Sequence, residues 1–367
     1  MIDEAMMRRA LDLAERGRGL TSPNPMVGAV VVAGDAIVGE GFHRRAGAPH
    51  AEIEALAQAG ARTRGATLYL TLEPCNHTGR TPPCVPAVIA AGVSRVVAAV
   101  ADPNPSVAGR GAGALLAAGV MVDVGLLSEE AERQNRVFFT AMRQGRPHVT
   151  IKAAMTADGK IADVHGASKW ITGEAARGHA HRLRAEADAI VVGATTALRD
   201  DPQLTVRLAE PWPREPWRVV LDAAATLPPD ARLIRAATPA RALVAVGEAA
   251  DAARVRALEA AGATVLRLPT RAERIDVAAL LAALAAREVR GVLVEGGGEA
   301  HAAFLEAGVV DRVAFFIAPL LLGGRQAPTA VGGAGRELKS ALRLARPTVT
   351  ALGDDVLLEA DVIRETA

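Results

Sequence analysis

Four residues in two short segments have the types and spacing of a catalytic metal site. His50 and Glu52 lie in a Pro-His-Ala-Glu segment, and Cys75 and Cys84 are the only cysteines of the chain. One histidine and two cysteines give zinc three protein ligands and leave its fourth tetrahedral position open for water, as a catalytic zinc site requires. The glutamate is not needed as a ligand and can transfer protons instead. The pattern is typical of zinc deaminases and predicts hydrolytic removal of an amino group from a heterocycle.

The residue types match the steps of that reaction. Zinc lowers the pKa of a bound water to about 7, and the carboxylate of Glu52 is predicted to protonate a ring nitrogen and then the departing ammonia. Two other interpretations give these residues structural roles. In one, His50 caps a helix and the cysteines are core residues or a disulfide. In the other, His77 is the fourth protein ligand of a structural zinc.

Composition limits the classes of protein to which the chain can belong. A chain of 367 residues, half of them apolar, predicts two domains. Its 42 basic and 41 acidic residues predict no nucleic-acid partner, and an aromatic content of 3% offers few stacking surfaces for single strands. Two cysteines fit a reducing compartment. Because the N-terminal segment is charged and no apolar run is long enough to cross a membrane, we expect a cytoplasmic protein without a membrane partner.

Alternating helix and strand patterns organise the first part of the chain. They predict an α/β sandwich around one sheet of about five strands, with a single helix over 128–143. One predicted helix, 51–60, begins just after His50, and another begins near Cys84. Both ligand sets should therefore lie at one end of the sheet, where open α/β folds bind ligands. The segment 143–147 is the predicted junction between domains 1–145 and 146–367.

A glycine turn is the clearest feature of the second α/β pattern, whose last predicted strand lies near 355–363. A predicted strand over 291–294 ends, Gly296–Gly298 turn, and a predicted helix over 298–307 begins. Such a turn lets backbone N–H groups approach a phosphate, but its spacing is not the dinucleotide fingerprint, and an empty turn is an equal alternative. We expect an empty turn to accept side chains at 297 or 298 and a ligand-binding turn to exclude them. The glycines at 109–113 are predicted to form a surface turn.

Polar residues near Trp170 add to this signal. They cluster in the segments 158–172 and 195–207. Arg184 and Arg207 suit a phosphate because the guanidinium fork matches its geometry, although each alone is more often a solvated surface residue. Together with the glycine turn, these segments predict a cofactor and phosphate site in the second domain.

The motifs together resemble one family, the bifunctional deaminase/reductases of riboflavin biosynthesis, over nearly the whole chain. The eight residues between Cys75 and Cys84 are typical of that family and differ from the C-x-x-C of cytidine and tRNA deaminases. Asn76 departs from the serine that many relatives have there, which leaves the ligands intact. The other specific motifs are Pro23-Asn24-Pro25, Asp102-Pro103-Asn104-Pro105, Ser168-Lys169-Trp170-Ile171-Thr172 and Asp200-Asp201-Pro202-Gln203-Leu204-Thr205-Val206-Arg207.

The resemblance implies a fold and two consecutive reactions. The α/β fold would consist of an N-terminal cytidine-deaminase-like three-layer domain and a C-terminal dihydrofolate-reductase-like domain. The first would use zinc to remove the 2-amino group of 2,5-diamino-6-(5-phosphoribosylamino)pyrimidin-4-one as ammonia. The second would use NADPH to reduce the ribosyl chain and give 5-amino-6-(5-phosphoribitylamino)uracil. The resemblance also suggests a homo-oligomer, either a dimer or a tetramer.

The resemblance also implies individual roles by motif match. Zinc would be bound by His50, Cys75 and Cys84, and Glu52 would be the proton shuttle. The deaminase pocket would be lined by Asn24, His43, His77, Arg80, Asp102 and Asn104. NADPH would contact Ala154 (through its backbone only), Trp170, Thr196, Asp200, Thr226, Gly297 and Gly298. The reductase substrate would contact Ser168, Arg184, Leu204, Arg207 and Glu295. The candidates for polar catalysis near the reacting carbon are Lys152 and Glu295.

Three other functions compete with this one. Near-neutral charge and the long cysteine spacing disfavour an RNA-editing adenosine deaminase, and Glu52 with an open zinc position disfavours a zinc-stabilised interaction protein. A deaminase with a non-catalytic, scaffold-like second domain remains open, because the second half has no equally diagnostic catalytic signature.

Overall fold

The chain divides into two compact units, residues 1–146 and 147–367. The computed structural model describes residues 2–105, 107–236 and 241–364. Within these ranges, no helix is both long enough and apolar enough to span a bilayer. Each unit contains its own main sheet and its own hydrophobic core.

A five-stranded sheet forms the centre of the first unit. Its strands are β1 (Gly28–Ala33), β2 (Ala36–Phe42), β3 (Thr67–Leu70), β4 (Arg95–Ala98) and β5 (Met121–Val124). They are ordered β2-β1-β3-β4-β5, with β1 antiparallel to both neighbours and β3, β4 and β5 parallel. The α-helices of the described part of this unit are α1 (Ile2–Glu15), α2 (Ala51–Ala59), α3 (Val85–Ala91), α4 (Arg110–Ala117), α5 (Ser128–Gln134) and α6 (Arg136–Gln144), and a 3-10 turn covers Gly60–Thr63.

The two faces of this sheet carry separate cores because successive strand residues point to opposite faces. Ala29 and Val31 belong to a core that includes residues of α2, α3 and α4. Val30 and Val32 belong to a second core with residues of α1, α5 and α6. The three-layer α/β architecture agrees with the sequence prediction.

The predicted single helix over 128–143 is wrong in one respect, because the structure divides it into α5 and α6 at Asn135. The buried Asn135 side chain accepts a hydrogen bond from the Met26 N–H and donates one to the Met26 carbonyl, both at 2.8 Å. An asparagine side chain can form hydrogen bonds with backbone groups that are distant in sequence. The local helix pattern of residues 128–143 does not show such a contact.

A nine-stranded sheet forms the second unit. The strands of this unit are β6 (His148–Thr156), β7 (Ala189–Gly193), β8 (Trp217–Leu221), β9 (Ala242–Gly247), β10 (Thr264–Leu268), β11 (Thr270–Arg271), β12 (Arg274–Ile275), β13 (Gly291–Gly296), β14 (Arg312–Ala318), β15 (Thr348–Leu352) and β16 (Asp355–Asp361). The large sheet is ordered β10-β9-β8-β7-β13-β6-β14-β16-β15, and β11 and β12 pair separately. The described helices are α7 (Glu174–Glu186), α8 (Ala194–Asp200), α9 (Arg232–Arg235), α10 (Ala252–Ala260), α11 (Val277–Ala285) and α12 (Gly298–Glu306), and a 3-10 turn covers Leu338–Ser340.

The strand order of the large sheet determines where its site lies. Strand β13 pairs in parallel with β7 on one side and β6 on the other, so three segments that are distant in sequence end at the same sheet edge. Open α/β sheets bind ligands at such a carboxyl edge. Strand β15 was not predicted, and its residues are almost all exposed, so no buried apolar face marks it.

Candidate functional site

The three predicted metal ligands converge at the N-terminal ends of two helices. His50 is the N-cap of α2 and Cys84 is the N-cap of α3. The N–H groups of Cys84 and Val85 donate to the carbonyl of Cys75 at 3.0 and 3.2 Å, which holds the first cysteine against the second helix. The ligand atoms of the three residues all lie within 4.8 Å of one another. His77 is not part of this group, so the structural-zinc interpretation gains no support.

The donor set fits zinc. The Nδ1 atom of His50 lies 3.1 Å from the Cys84 sulfur and 3.6 Å from the Cys75 sulfur, near the roughly 3.5 Å between two ligands of one tetrahedral zinc with ordinary bond lengths. A hydrogen bond from Cys84, helped by His50 and opposed by burial, lowers the pKa of Cys75 to about 4. The thiolate is the form of cysteine that binds metals.

Thr81 orients the histidine ligand, and sequence reasoning missed it. Its hydroxyl lies 3.0 Å from Nε2 of His50. When Nε2–H donates to that hydroxyl oxygen, Nδ1 keeps its lone pair toward the two sulfurs, which is the tautomer a metal needs. The only sequence signal was position, because Thr81 lies in the loop between the two cysteines.

Glu52 occupies the first turn of α2 beside the ligands but is not one of them. It is only 3% exposed. Burial raises the pKa of the Glu52 carboxyl, while the positive charge of His50 and a hydrogen bond from Cys84 act in the opposite direction. A raised pKa suits a carboxyl that has to accept and release a proton near neutral pH.

Asn24 and His43 meet next to the histidine ligand. The His43 ring packs edge-on against His50 with centroids 5.3 Å apart. Its Nδ1 lies 3.1 Å from the Pro49 carbonyl and its Nε2 lies 3.1 Å from Nδ2 of Asn24. A carbonyl can only accept, so Nδ1 carries the proton and a neutral ring then accepts from the Asn24 amide at Nε2. Burial lowers the pKa of His43, which favours that neutral ring.

The remaining deaminase candidates lie on two loops. The buried Asp102 accepts a 2.8 Å hydrogen bond from the N–H of Asn104. Burial raises the pKa of Asp102 to about 6, with a smaller contribution from the charge of Glu73. His77 and Arg80 lie on the loop between the cysteines, His77 partly buried and Arg80 exposed.

A cavity of about 580 Å³ lies at the carboxyl edge of the second unit's sheet. The predicted residues that line it are Lys152, Ala154, Ser168, Trp170, Arg184, Thr196, Asp200, Leu204, Arg207, Glu295, Gly297 and Gly298. One predicted residue, Thr226, is not in the lining. Its hydroxyl donates a 2.9 Å hydrogen bond to the buried carboxylate of Asp222 instead.

A buried ion cluster lies in the wall of this cavity. Arg184 donates two hydrogen bonds to the Glu295 carboxylate, from Nε at 2.5 Å and from Nη2 at 2.8 Å. Nζ of Lys152 lies 3.9 Å from the same carboxylate. Burial alone would raise the pKa of Glu295, but the charges of Arg184 and Lys152 outweigh it and bring the pKa to about 2. Burial lowers the pKa of Lys152.

The structure gives Arg184 protein partners and adds two residues to the cavity. Arg184 donates from Nε and Nη2 to Glu295 and from Nη1 to the Thr205 carbonyl. His181 and Arg232 line the same cavity as Arg207, and neither was predicted. Burial, followed by the positive charges of Arg184 and Arg232, lowers the pKa of Arg207.

The glycine turn fits a cofactor diphosphate. Gly297 is the N-cap of α12 with φ of 75°, and as a glycine it offers no side-chain cap. Uncapped N–H groups at a helix N-terminus attract phosphate oxygens, and the turn opens onto the 580 Å³ cavity. The backbone requires glycine even without a ligand, however, because a Cβ on Gly298 would lie 2.5 Å from the Thr329 carbonyl. The expectation that an empty turn would accept side chains is therefore wrong.

Comparison with known families divides the chain as the structure does. Residues 147–358 match the family described as the RibD C-terminal domain. Residues 1–100 match the cytidine and deoxycytidylate deaminase zinc-binding region.

Whole proteins match over nearly their full length. The riboflavin biosynthesis protein RibD of Actinobacillus pleuropneumoniae is 43% identical over 99% of this chain and 96% of its own length. The RibD of Aquifex aeolicus is 42% identical over 97% and 98%.

Solved structures give the same result. The Acinetobacter baumannii RibD structure superposes with a TM-score of 0.90 at 37% identity, covering 99% of both chains. A Thermotoga maritima protein, named a diaminohydroxyphosphoribosylaminopyrimidine deaminase/5-amino-6-(5-phosphoribosylamino)uracil reductase, superposes with a TM-score of 0.84 at 35% identity, also over 99% of both.

Proposed function

The chain belongs to the RibD family of riboflavin biosynthesis proteins, and we propose on that premise which reaction each unit catalyses and which residues act. The chain is a bifunctional enzyme, a zinc-dependent deaminase and an NADPH-dependent reductase. Its fold class is the predicted one, a cytidine-deaminase-like domain followed by a dihydrofolate-reductase-like domain. The match of residues 147–358 to the reductase family disfavours the scaffold alternative. We place the domain boundary between residues 145 and 146.

The first unit would remove the 2-amino group of 2,5-diamino-6-(5-phosphoribosylamino)pyrimidin-4-one. Zinc, held by His50, Cys75 and Cys84, would supply a water activated at neutral pH. Glu52, buried beside the ligands, would carry a proton to the ring and then to the ammonia that leaves. Thr81 keeps the His50 lone pair directed at the ion through its 3.0 Å contact with Nε2.

The substrate of the first unit would be oriented by polar groups around the metal. His43 uses the Asn24 amide N–H as a donor, so the Asn24 carbonyl oxygen is left to accept a hydrogen bond from the pyrimidine. His77, Arg80, Asp102 and Asn104 complete the proposed lining. Two of these, Asp102 and Asn104, form one turn held by their own hydrogen bond.

The second unit would bind NADPH, the hydride donor, at the glycine turn of its cavity, with Ala154, Trp170, Thr196 and Asp200. Thr226 remains a proposed contact from the resemblance, although its hydroxyl is paired with Asp222. Ser168, Leu204 and Arg207 would contact the deaminated substrate.

Within that cavity, Lys152 rather than Glu295 would donate the proton that reduction of the sugar carbon requires. The carboxyl of Glu295 has a pKa of about 2 and stays ionised, so it cannot act as an acid at neutral pH. Lys152 is buried, and burial lowers the pKa of its ammonium group, which makes it the better acid of the two. Arg184 and Glu295 would hold Lys152 and the sugar in place.

The proposal is carried by the presence of two sites in one chain. One is a cluster of three possible zinc ligands beside a buried glutamate, and the other is a cationic cavity at a glycine turn. Purified protein incubated with the diaminopyrimidine phosphate should release ammonia without NADPH. With NADPH it should also yield the ribityl product, identified by mass. Ammonia release without any NADPH-dependent product would return the second unit to the scaffold interpretation.

The remaining proposals concern compartment and assembly. We propose a cytoplasmic enzyme, supported by two cysteines that are both unpaired and suited to a metal. The substrate is a small phosphorylated pyrimidine, with no role for nucleic acid. A homo-oligomer, dimer or tetramer, is proposed from the family resemblance alone.

A further inference from the structure

Glu73 is a buried carboxylate whose neighbours are backbone groups rather than a cation. It is 4% exposed and lies two residues before the metal ligand Cys75. Oε1 accepts from the N–H groups of Gly111 and Ala112, both at 3.0 Å. Oε2 accepts from the backbone N–H groups of Asp102 at 3.2 Å and Gly109 at 3.0 Å. Four hydrogen bonds use the full accepting capacity of an ionised carboxylate.

These four bonds join the metal loop to two other segments of the first unit. One is the Asp102–Asn104 turn. The other is the first turn of α4, where the N–H groups are otherwise left without an intrahelical partner. A Cβ on Gly111 would lie 2.0 Å from the Pro74 carbonyl, so the helix backbone lies directly on the loop that carries Cys75. Gly111, one of the glycines at 109–113 predicted to form a surface turn, permits this close approach.

We propose that Glu73 is a positioning residue of the deaminase, which fixes the Asp102–Asn104 turn relative to the metal loop so that the pocket for the pyrimidine keeps its shape. The inference rests on the proposed deaminase function and deepens it. Glu73 touches neither the reacting atoms nor the metal ligands' donor atoms in this arrangement. It acts through the backbone that carries Asp102.

Glu73→Gln separates positioning from metal binding because it is nearly isosteric. The amide has one oxygen, which can serve only one of the two N–H pairs, and its own NH₂ would face the other pair. Donor would then oppose donor, and the turn or the start of α4 would move. We expect KM for deamination to rise at least about tenfold, equal to about 1.4 kcal/mol of lost binding. Zinc stoichiometry should remain one per chain.

Two matched variants identify the cause of that effect. Gly111→Ala keeps the carboxylate but disturbs the same contact, because its Cβ would lie 2.0 Å from the Pro74 carbonyl and 3.3 Å from Oε1 of Glu73. It should raise KM for deamination in the same way. Thr63→Val removes buried hydrogen bonds to the Gly60 and Ala91 carbonyls in the same unit. It should lower the melting temperature without changing KM, as a merely structural loss would.

Three measurements on the full chain test the positioning role of Glu73. Hydrogen exchange should accelerate at the amides of Gly109, Gly111 and Ala112 in Glu73→Gln, zinc content should stay unchanged, and the NADPH-dependent reduction of deaminated substrate should match the parent. If the parent does not release ammonia, the proposed function fails. If the parent is active and Glu73→Gln keeps the parent KM, or if KM changes only in proportion to lost zinc, the positioning role is refuted.

Discussion

Removal of Arg184 should destabilise the second unit strongly, because it would leave a buried carboxylate without its main partner. The side chains of Arg184 and Glu295 are 15% and 6% exposed, and two hydrogen bonds of 2.5 and 2.8 Å join them. In Arg184→Met the aliphatic stem stays and the charge is lost. Lys152, at 3.9 Å, is then the remaining cation near Glu295. Breaking a buried ion pair by deleting one partner costs about 3–5 kcal/mol.

The lowered pKa of Glu295 indicates a similar magnitude for the same interaction. The carboxyl has a pKa of about 2 against an ordinary value of 4.5, and each unit of difference corresponds to about 1.4 kcal/mol, so the favourable environment contributes about 3 kcal/mol at neutral pH. A depressed carboxyl pKa stabilises the folded state above the unfolded pKa. That contribution should be lost as the pH falls from about 4.5 toward 2. Loss of Arg184 should flatten this acid dependence.

Tryptophan fluorescence can follow the second unit alone, because Trp170, Trp212 and Trp217 are the only tryptophans of the chain. With a urea m-value of about 3 kcal/mol/M, a loss of about 3 kcal/mol lowers the unfolding midpoint by about 1 M. The control is Arg274→Met, which breaks a pair with Glu299 of similar length but with 50% and 66% exposed side chains. It should cost less than about 1 kcal/mol.

A double variant tests whether the buried charge is the cause. The double variant Arg184→Met/Glu295→Gln leaves no carboxylate unpaired. Its loss of unfolding free energy should therefore be smaller than the sum of the losses in the two single variants, by at least about 1.5 kcal/mol. Additive effects, or an Arg184→Met midpoint equal to that of Arg274→Met, would refute the reasoning.

Three further predictions concern the first unit. Cys84→Ser should lose most of its zinc by metal analysis, and full zinc content with normal deamination would contradict the ligand assignment. Glu52→Gln should keep zinc and reduce ammonia release by roughly 10²–10⁴-fold, while NADPH-dependent reduction of deaminated substrate stays near normal; equal loss of both activities would show coupling between the units. Because burial raises the pKa of Asp102 from 3.8 to about 6, the folded state loses stability as the pH rises between those values, and the loss is complete above pH 6. Asp102→Asn should therefore raise the melting temperature at pH 8 and weaken substrate binding. A lower melting temperature at pH 8 would contradict this sign.

The cluster of His50, Cys75 and Cys84 could be predicted because its residues lie in short, local segments of characteristic type and spacing. His50 and Glu52 are two residues apart, and the helix that follows them positions both. The orientation of His50 was not predictable, because it depends on a hydroxyl thirty-one residues away in sequence that the loop folds back to within 3.0 Å of Nε2. Hydroxyl groups are common in such loops, and only the distance distinguishes Thr81 from its neighbours.

The second unit was less predictable because its site is assembled from strands that are distant in the chain. Strand β13 lies between β6 and β7 only in the folded sheet, so the contact of Arg184 with Glu295 across more than a hundred residues has no local signal. The family resemblance assigned Arg184 to the substrate, and the structure shows it engaged with a carboxylate. A basic residue near a phosphate site can act on the ligand or on the acid that shapes the site, and only geometry separates these roles.

Two glycine-rich segments show that the reason for a glycine cannot be predicted from the sequence alone. The turn at Gly297 and Gly298 was expected to need glycine only for a ligand, yet the Thr329 carbonyl lies where a Cβ of Gly298 would be. The run at 109–113 was expected to be a surface turn, yet Gly111 allows a helix to lie on the Pro74 carbonyl and donate to Glu73. In both segments, glycine indicates that another part of the backbone lies close, and the sequence does not show which part it is. At Gly111 the neighbour is the loop that carries Cys75, so glycine at this position permits close backbone packing rather than flexibility.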